Sequence, residues 1–144
     1  MKKYIFLAIF VVLIYGYIHE RGISLPSFSS WTQSDSSILQ RAYNNRQSNL
    51  QVHGEGLVLK ILSDDLEGSR HQRFILTLSS GQTLLVAHNI DLAPRISSLR
   101  RGDKVEFSGE YEWNAKGGVI HWTHHDSTGR HIGGWLKHDG RKYQ

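Results

Sequence analysis

The sequence predicts a mostly β domain behind a membrane anchor, and three observations carry that reading. From Gln51 onward apolar and polar residues alternate with a period of two, Gly- and Asn-containing turns interrupt the alternation, and an uncharged apolar run follows Lys2-Lys3. The chain has 144 residues, 39% apolar and 21% charged, which suits one small domain and excludes a collagen-like or wholly disordered chain. Cysteine is absent, which excludes a disulfide framework, thiolate-held zinc, a thiol nucleophile and a lipid anchor on Cys. The formal charge is +4, but without Lys2 and Lys3 the basic excess falls to two, weak ground for a polyanion partner.

Residues 1–21 read as a signal anchor, a single transmembrane helix. Tyr4 to Ile18 carries no charge, and His19-Glu20-Arg21 closes the run. A signal peptidase needs small residues at its cleavage site, whereas the chain reads Tyr15-Gly16-Tyr17-Ile18-His19, so an uncleaved anchor is preferred to secretion after cleavage. Such a run rises about 22 Å against a hydrocarbon core of roughly 30 Å, and Gly16, Tyr17 and the flanking charges extend it into the interface. Lys2 and Lys3 stay inside, which puts the domain outside.

Residues 22–33 are Ser-rich, hold one proline and show no periodicity, the composition of a linker. Residues 34–49 then predict a short helix, capped by Ser34 or Asp35 and running to about Arg46. Its apolar stripe, Ile38, Leu39, Ala42 and Tyr43, is expected to pack on the domain.

The barrel domain is expected over residues 50–144. Leu57, Leu59 and Ile61 share one strand face with Val58, Lys60 and Leu62 opposite; Phe74, Leu76 and Leu78 share another, opposite His71, Arg73, Ile75 and Thr77. Ser79-Ser80-Gly81-Gln82 turns the chain into a third strand, Thr83–His88. The segment Asp91 to Leu99 suggests a helical turn starting at Pro94. Two more strands follow, Lys104–Trp113 and Gly118–Thr123, joined by a turn at Asn114-Ala115-Lys116-Gly117-Gly118. Three strands, a short insert and a two-strand hairpin is the order of a five-stranded Greek-key barrel of the OB type, with an SH3-like barrel as the alternative. Arg101-Gly102-Asp103 ahead of the fourth strand reads as turn chemistry, not as an adhesion tripeptide.

The strings His53-Gly54-Glu55-Gly56, Gly68-Ser69-Arg70-His71-Gln72-Arg73-Phe74, Ala87-His88-Asn89-Ile90-Asp91-Leu92-Ala93-Pro94-Arg95 and His121-Trp122-Thr123-His124-His125-Asp126 carry a resemblance. Together they resemble an uncharacterised family of small bacterial envelope OB-fold proteins, a domain of unknown function whose members are labelled nucleic-acid-binding proteins or lipoproteins. The resemblance covers roughly Gln51 to Gln144. It implies an OB-like fold and a Gram-negative envelope location, and no established activity; combined with the anchor, this gives a bacterial inner-membrane protein with its domain in the periplasm. The chain departs from the lipoprotein members in having no Cys to acylate.

Five of the nine histidines fall between His121 and His138, which raises a divalent metal or general-base site. On a straight strand His121 and His125 would stand about 13 Å apart and His124 and His125 would face opposite sides, so one ion cannot take all three there. A metal site formed by His124, His125 and Asp126 therefore requires the strand to end near Thr123, with His71 or His88 as further donors. Added to His121, this set is the candidate catalytic group of a metal-dependent phosphodiesterase or nuclease.

The leading expectation is a binding module for an anionic ligand such as single-stranded nucleic acid. Arg70, His71, Arg73, His88, Asp91 and Arg95 would form its polar lip, and Trp122 and Trp135 its stacking platforms. The direction of Trp122 is left open: either His121 and Thr123 face out and Trp122 is core, or the reverse. A protein-interaction module is the third reading, and nothing in the sequence points to a dinucleotide or haem.

Overall fold

The computed structural model describes residues 30–144. The anchor expected over residues 1–21 lies outside the described residues, as does the start of the linker. Among the described residues no helix is long and apolar enough to cross a membrane.

Helix α1, Ser30–Asn44, begins a few residues before the expected cap. Its predicted stripe divides: Leu39 and Ala42, three apart, are buried against the barrel, while Ile38 is exposed. The helix ends in a Schellman motif, in which Gln47 N–H donates to Ala42 O at 2.9 Å and Arg46 N–H to Tyr43 O at 3.2 Å, with Arg46 at φ 53°. Two bonds fasten this end to the turn that follows the fourth strand: Trp113 Nε1–H donates to Tyr43 O at 3.0 Å, and Tyr43 O–H to Ala115 O at 3.2 Å.

The expected five-strand pattern is present as β1 Leu50–Ile61, β2 His71–Thr77, β3 Thr83–Asn89, β4 Lys104–Glu112 and β5 Val119–His121. Neighbours run β1-β2-β3-β5-β4, and β4 returns to β1, so the sheet closes into a five-stranded barrel. Closure falls to β1, whose length lets its first part pair with β4 (Leu50↔Tyr111 to Leu57↔Lys104) and its last part with β2. A bulge between Val58 and Lys60 bends the strand at the handover. Strands β3 and β5 pair in parallel, Leu85↔Val119 and Val86↔Ile120.

Alternation decides the interior. Phe74 and Leu76 on β2, Leu84 and Val86 on β3, Val105, Phe107 and Tyr111 on β4, and Ile120 on β5 are all fully buried. Gly54 of β1 lies under the Phe107 ring, which a Cβ would meet at 2.8 Å. Leu57, Leu59 and Ile61 point outward and stay 39–50% exposed, while Val58 points in.

No helical turn forms after Pro94. The turn comes earlier, with Ala93 N–H donating to Asn89 O at 3.1 Å, and Ala93, Ile96 and Leu99 are then buried, the last two within the core cluster. Buried Gln72 replaces the helical bonds, since its Nε2–H donates to Ile96 O and its Oε1 accepts from Ile96 N–H, both at 2.9 Å. Arg101-Gly102-Asp103 is a turn as expected. Gly102 sits at φ 90° and donates to Val58 O, and Asp103 Oδ2 accepts Arg100 N–H at 2.7 Å.

Two short strands at the C-terminus have no counterpart in the sequence reading, β6 Trp135–His138 and β7 Arg141–Tyr143. Strand β5 covers only Glu110–Glu112 of β4's second edge, and β6 takes the remainder, Val105 to Ser108. The chain between them, residues 122–134, leaves the sheet as a loop beside the outer faces of β4 and β5.

Candidate metal centre

On β4 the residues that face out of the barrel are the even-numbered ones, because Val105, Phe107, Gly109 and Tyr111 face in. Glu110 and Glu112 therefore lie two apart on one outer face. The register sets His121 of β5 directly opposite Glu110. His121 Nε2 lies 3.6 Å from Glu110 Oε1 and 3.9 Å from Glu112 Oε1, and one donor atom from each residue falls within 4.8 Å of the others.

These separations are too long for hydrogen bonds, and His121 Nε2 is inaccessible to solvent with no hydrogen-bond partner among the described residues. Two donors on one zinc ion, with bonds of about 2.0–2.1 Å, stand roughly 3.3 Å apart, a few tenths of an ångström inside the two separations His121 makes with these carboxylates. Burial pushes the His121 pKa down and outweighs the pull of Glu110 and Glu112 in the other direction. The imidazole is thus held neutral at pH 7 with a lone pair to give, the form a metal requires.

Strand β5 ends immediately after His121. Trp122 adopts φ 53°, which breaks the alternation, so neither expected orientation holds: His121 faces out, Thr123 is buried, and Trp122 is half-buried. The Trp122 indole stacks on the His131 imidazole, with centroids 3.8 Å apart and planes at 7°. His131 Nδ1 in turn lies 3.5 Å from Glu110 Oε2.

The three residues grouped from sequence as metal ligands serve the loop. Asp126 Oδ1 accepts from Thr128 N–H at 2.8 Å and from its hydroxyl at 2.7 Å, while Oδ2 accepts His131 N–H at 2.7 Å. The Thr128 hydroxyl and these amides hold the carboxyl well below the usual carboxylate range. His124 is buried and its Nδ1–H donates to His125 O at 2.9 Å; His125 itself is exposed. His88, at the end of β3, is fully buried between Thr123 and Pro94, away from any opening.

The arginine lip is already occupied by carboxylates. Arg70 Nε meets Asp91 Oδ1 at 2.6 Å and Arg70 N–H donates to Asp91 Oδ2 at 2.7 Å, which lowers the Asp91 pKa. Arg95 makes a forked contact with Asp64 at 2.9 and 3.3 Å. Arg73 donates to Ser63 O at 3.1 Å and comes within 4.0 Å of Asp65, and His71 Nδ1–H donates to Ser69 O at 2.7 Å. Trp135 lies apart from this group on β6, opposite Ser108, with Lys142 Nζ 5.0 Å from its ring.

Of the residues singled out from sequence, the structure brings His121, Trp122 and His124 to one place, the Trp122 and His124 rings 5.3 Å apart, and joins Arg70 to Asp91 on the lip. Glu110 and Glu112 were missed. Their signal was a Glu-x-Glu repeat on the polar parity of a strand, which acquires meaning once the β4–β5 register sets a histidine opposite. Residues 23–144 match the model of a family described as a protein of unknown function, DUF3465, and the chain belongs to that family. No curated protein matches the chain.

Proposed function

We propose that this domain is an OB-like barrel that binds a divalent transition-metal ion of the zinc class through Glu110, Glu112 and His121. The observation that carries the reading is the Nε2 of His121, buried and without a hydrogen-bond partner among the described residues, facing two carboxylates at 3.6 and 3.9 Å. A solvent-stripped imidazole nitrogen without a partner costs stability unless something takes its lone pair. Mixed imidazole and carboxylate donors favour Zn²⁺, Mn²⁺, Co²⁺ or Ni²⁺ over Ca²⁺ and Mg²⁺, which prefer oxygen alone.

The barrel order, with β3 parallel to β5, supports the OB-like description. Metal binding is preferred to capture of single-stranded nucleic acid because Arg70, Arg73 and Arg95 each face a carboxylate, leaving the lip little net attraction for phosphate. Lys2-Lys3 ahead of the apolar run supports a periplasmic domain on an inner-membrane anchor.

The test is calorimetric titration of the full-length chain in detergent with Zn²⁺, Mn²⁺, Co²⁺, Ni²⁺ and Mg²⁺. One transition-metal ion per chain is expected, with Mg²⁺ much weaker, and Glu110→Gln and His121→Gln should each weaken binding by about tenfold or more. Wild-type affinity in both variants would overturn the reading.

A further inference from the structure

We infer that His131 is the fourth protein ligand of this ion, so that the loop from Trp122 to Gly134 closes the site and is locked in place when the metal binds. The inference rests on the metal reading above and extends it from a three-residue group to a closed centre of two histidines and two glutamates.

Glu110 is the pivot. One of its oxygens faces His121 Nε2 at 3.6 Å and the other faces His131 Nδ1 at 3.5 Å, so the two imidazoles approach the same carboxylate from different elements. His131 meets the group through Glu110 and stands outside the tight set of Glu110, Glu112 and His121. To reach an ion held by those three, His131 would move inward with its loop, starting from its 3.5 Å approach to Glu110 Oε2. Four-coordinate binding by nitrogen and oxygen donors is the arrangement zinc favours.

The loop is built to present that ring. Gly134 N–H donates to His124 O at 2.9 Å and closes the base. Asp126 ties the backbone of His131 and Thr128 together, fixing where the His131 side chain leaves the loop. The stacked Trp122 ring fixes its plane, and Trp122 adopts a left-handed backbone conformation that bulky residues rarely tolerate. A strained residue whose ring aligns a candidate ligand fits an outer partner of a metal site.

A closed centre has a different use from an open one. An ion with four protein ligands has no position for an attacking water and acts by holding elements together. Here it would join β4 and β5 to a loop that carries exposed His125, Arg130 and Ile132, so metal occupancy would fix how those side chains are displayed.

The experiment uses the full-length chain, wild type and His131→Gln, with Co²⁺ as a spectroscopic probe and trypsin as a probe of the loop. Wild type should give the intense visible absorption of four-coordinate Co²⁺. His131→Gln should weaken binding by about tenfold or more and give the pale spectrum of higher coordination; its metal-free melting temperature, measured alongside, reads the separate loss of the Trp122 stack. In wild type alone, Zn²⁺ should slow cleavage after Arg130. Wild type that binds no Co²⁺ removes the metal reading and the inference with it. Wild type that binds, matched by His131→Gln in affinity and spectrum or cleaved after Arg130 at the same rate with and without Zn²⁺, overturns the inference alone.

Discussion

His88 Nδ1 lies 2.8 Å from Thr123 Oγ1 in the barrel interior, and the pair ties the end of β3 to the residue that follows β5's reversal. The other ring nitrogen, Nε2, is 3.1 Å from Pro94 O, which can only accept. His88 is therefore the neutral Nε2–H tautomer, donating to Pro94 O and accepting the Thr123 hydroxyl proton. One imidazole thus joins three segments, the end of β3, Pro94 and Thr123.

Acid should loosen this junction. Burial, aided by the nearby His124 and His71, lowers the His88 pKa to about 4. The unfolded chain takes a proton near pH 6.5 and the folded chain does not, so the stabilisation is whole above that pH and lost as pH falls toward 4, about 3 kcal/mol in all. Urea midpoints at pH 7.5 and 4.5 should differ accordingly in wild type, and the difference should shrink in His88→Gln. Equal slopes with pH in the two proteins would mean that another group dominates.

Gln72→Leu should cost about 2–4 kcal/mol. The side chain is buried and bonds both backbone groups of Ile96, and leucine would strand that N–H and C=O in the interior. Chemical denaturation measures the loss. A cost below about 1 kcal/mol would show that the loop has found other partners.

Gly134→Ala should detach the C-terminal hairpin. A Cβ at this position would collide with the carbonyl oxygens of Trp122 and Ser108, backbone atoms that cannot step aside. Amide exchange of Trp135 to His138 should accelerate while that of β2 and β3 stays slow; uniform protection in the variant would contradict the proposed tight seat.

Zinc should raise the melting temperature of the wild-type chain, and chelator should reverse it. At a free concentration of about 100 times Kd the gain is about 2.7 kcal/mol, provided the unfolded chain does not bind. Glu112→Gln should reduce the shift. An unchanged shift in that variant would place the bound ion elsewhere.

Much of the barrel was legible because its signals are local. The alternation Phe74-Leu76-Leu78 and the turn at Gly81 mark β2, β3 and their hairpin, since a period of two can come only from a strand with one face buried. The turn at Gly102 and Asp103 was legible for the same reason: its bonds lie within a few residues, apart from those to Val58. Strands β6 and β7 were not, because three or four residues are too few to show a period.

By itself, then, the sequence determined the class of fold, the order of five strands, the helix packed against them, and a family resemblance over roughly Gln51 to Gln144, which the family match extends to residues 23–144. Only the tertiary structure decided which histidine meets which acid. Glu110 and His121 are brought opposite each other by the pairing of β4 with β5, and that register follows from Tyr111 and Ile120 both turning into the core. Where the alternation stops was equally beyond local reading. The reversal at Trp122 is held by the stack on His131 and by Gly134 seated against Trp122 and Ser108, contacts between residues that the chain order keeps apart.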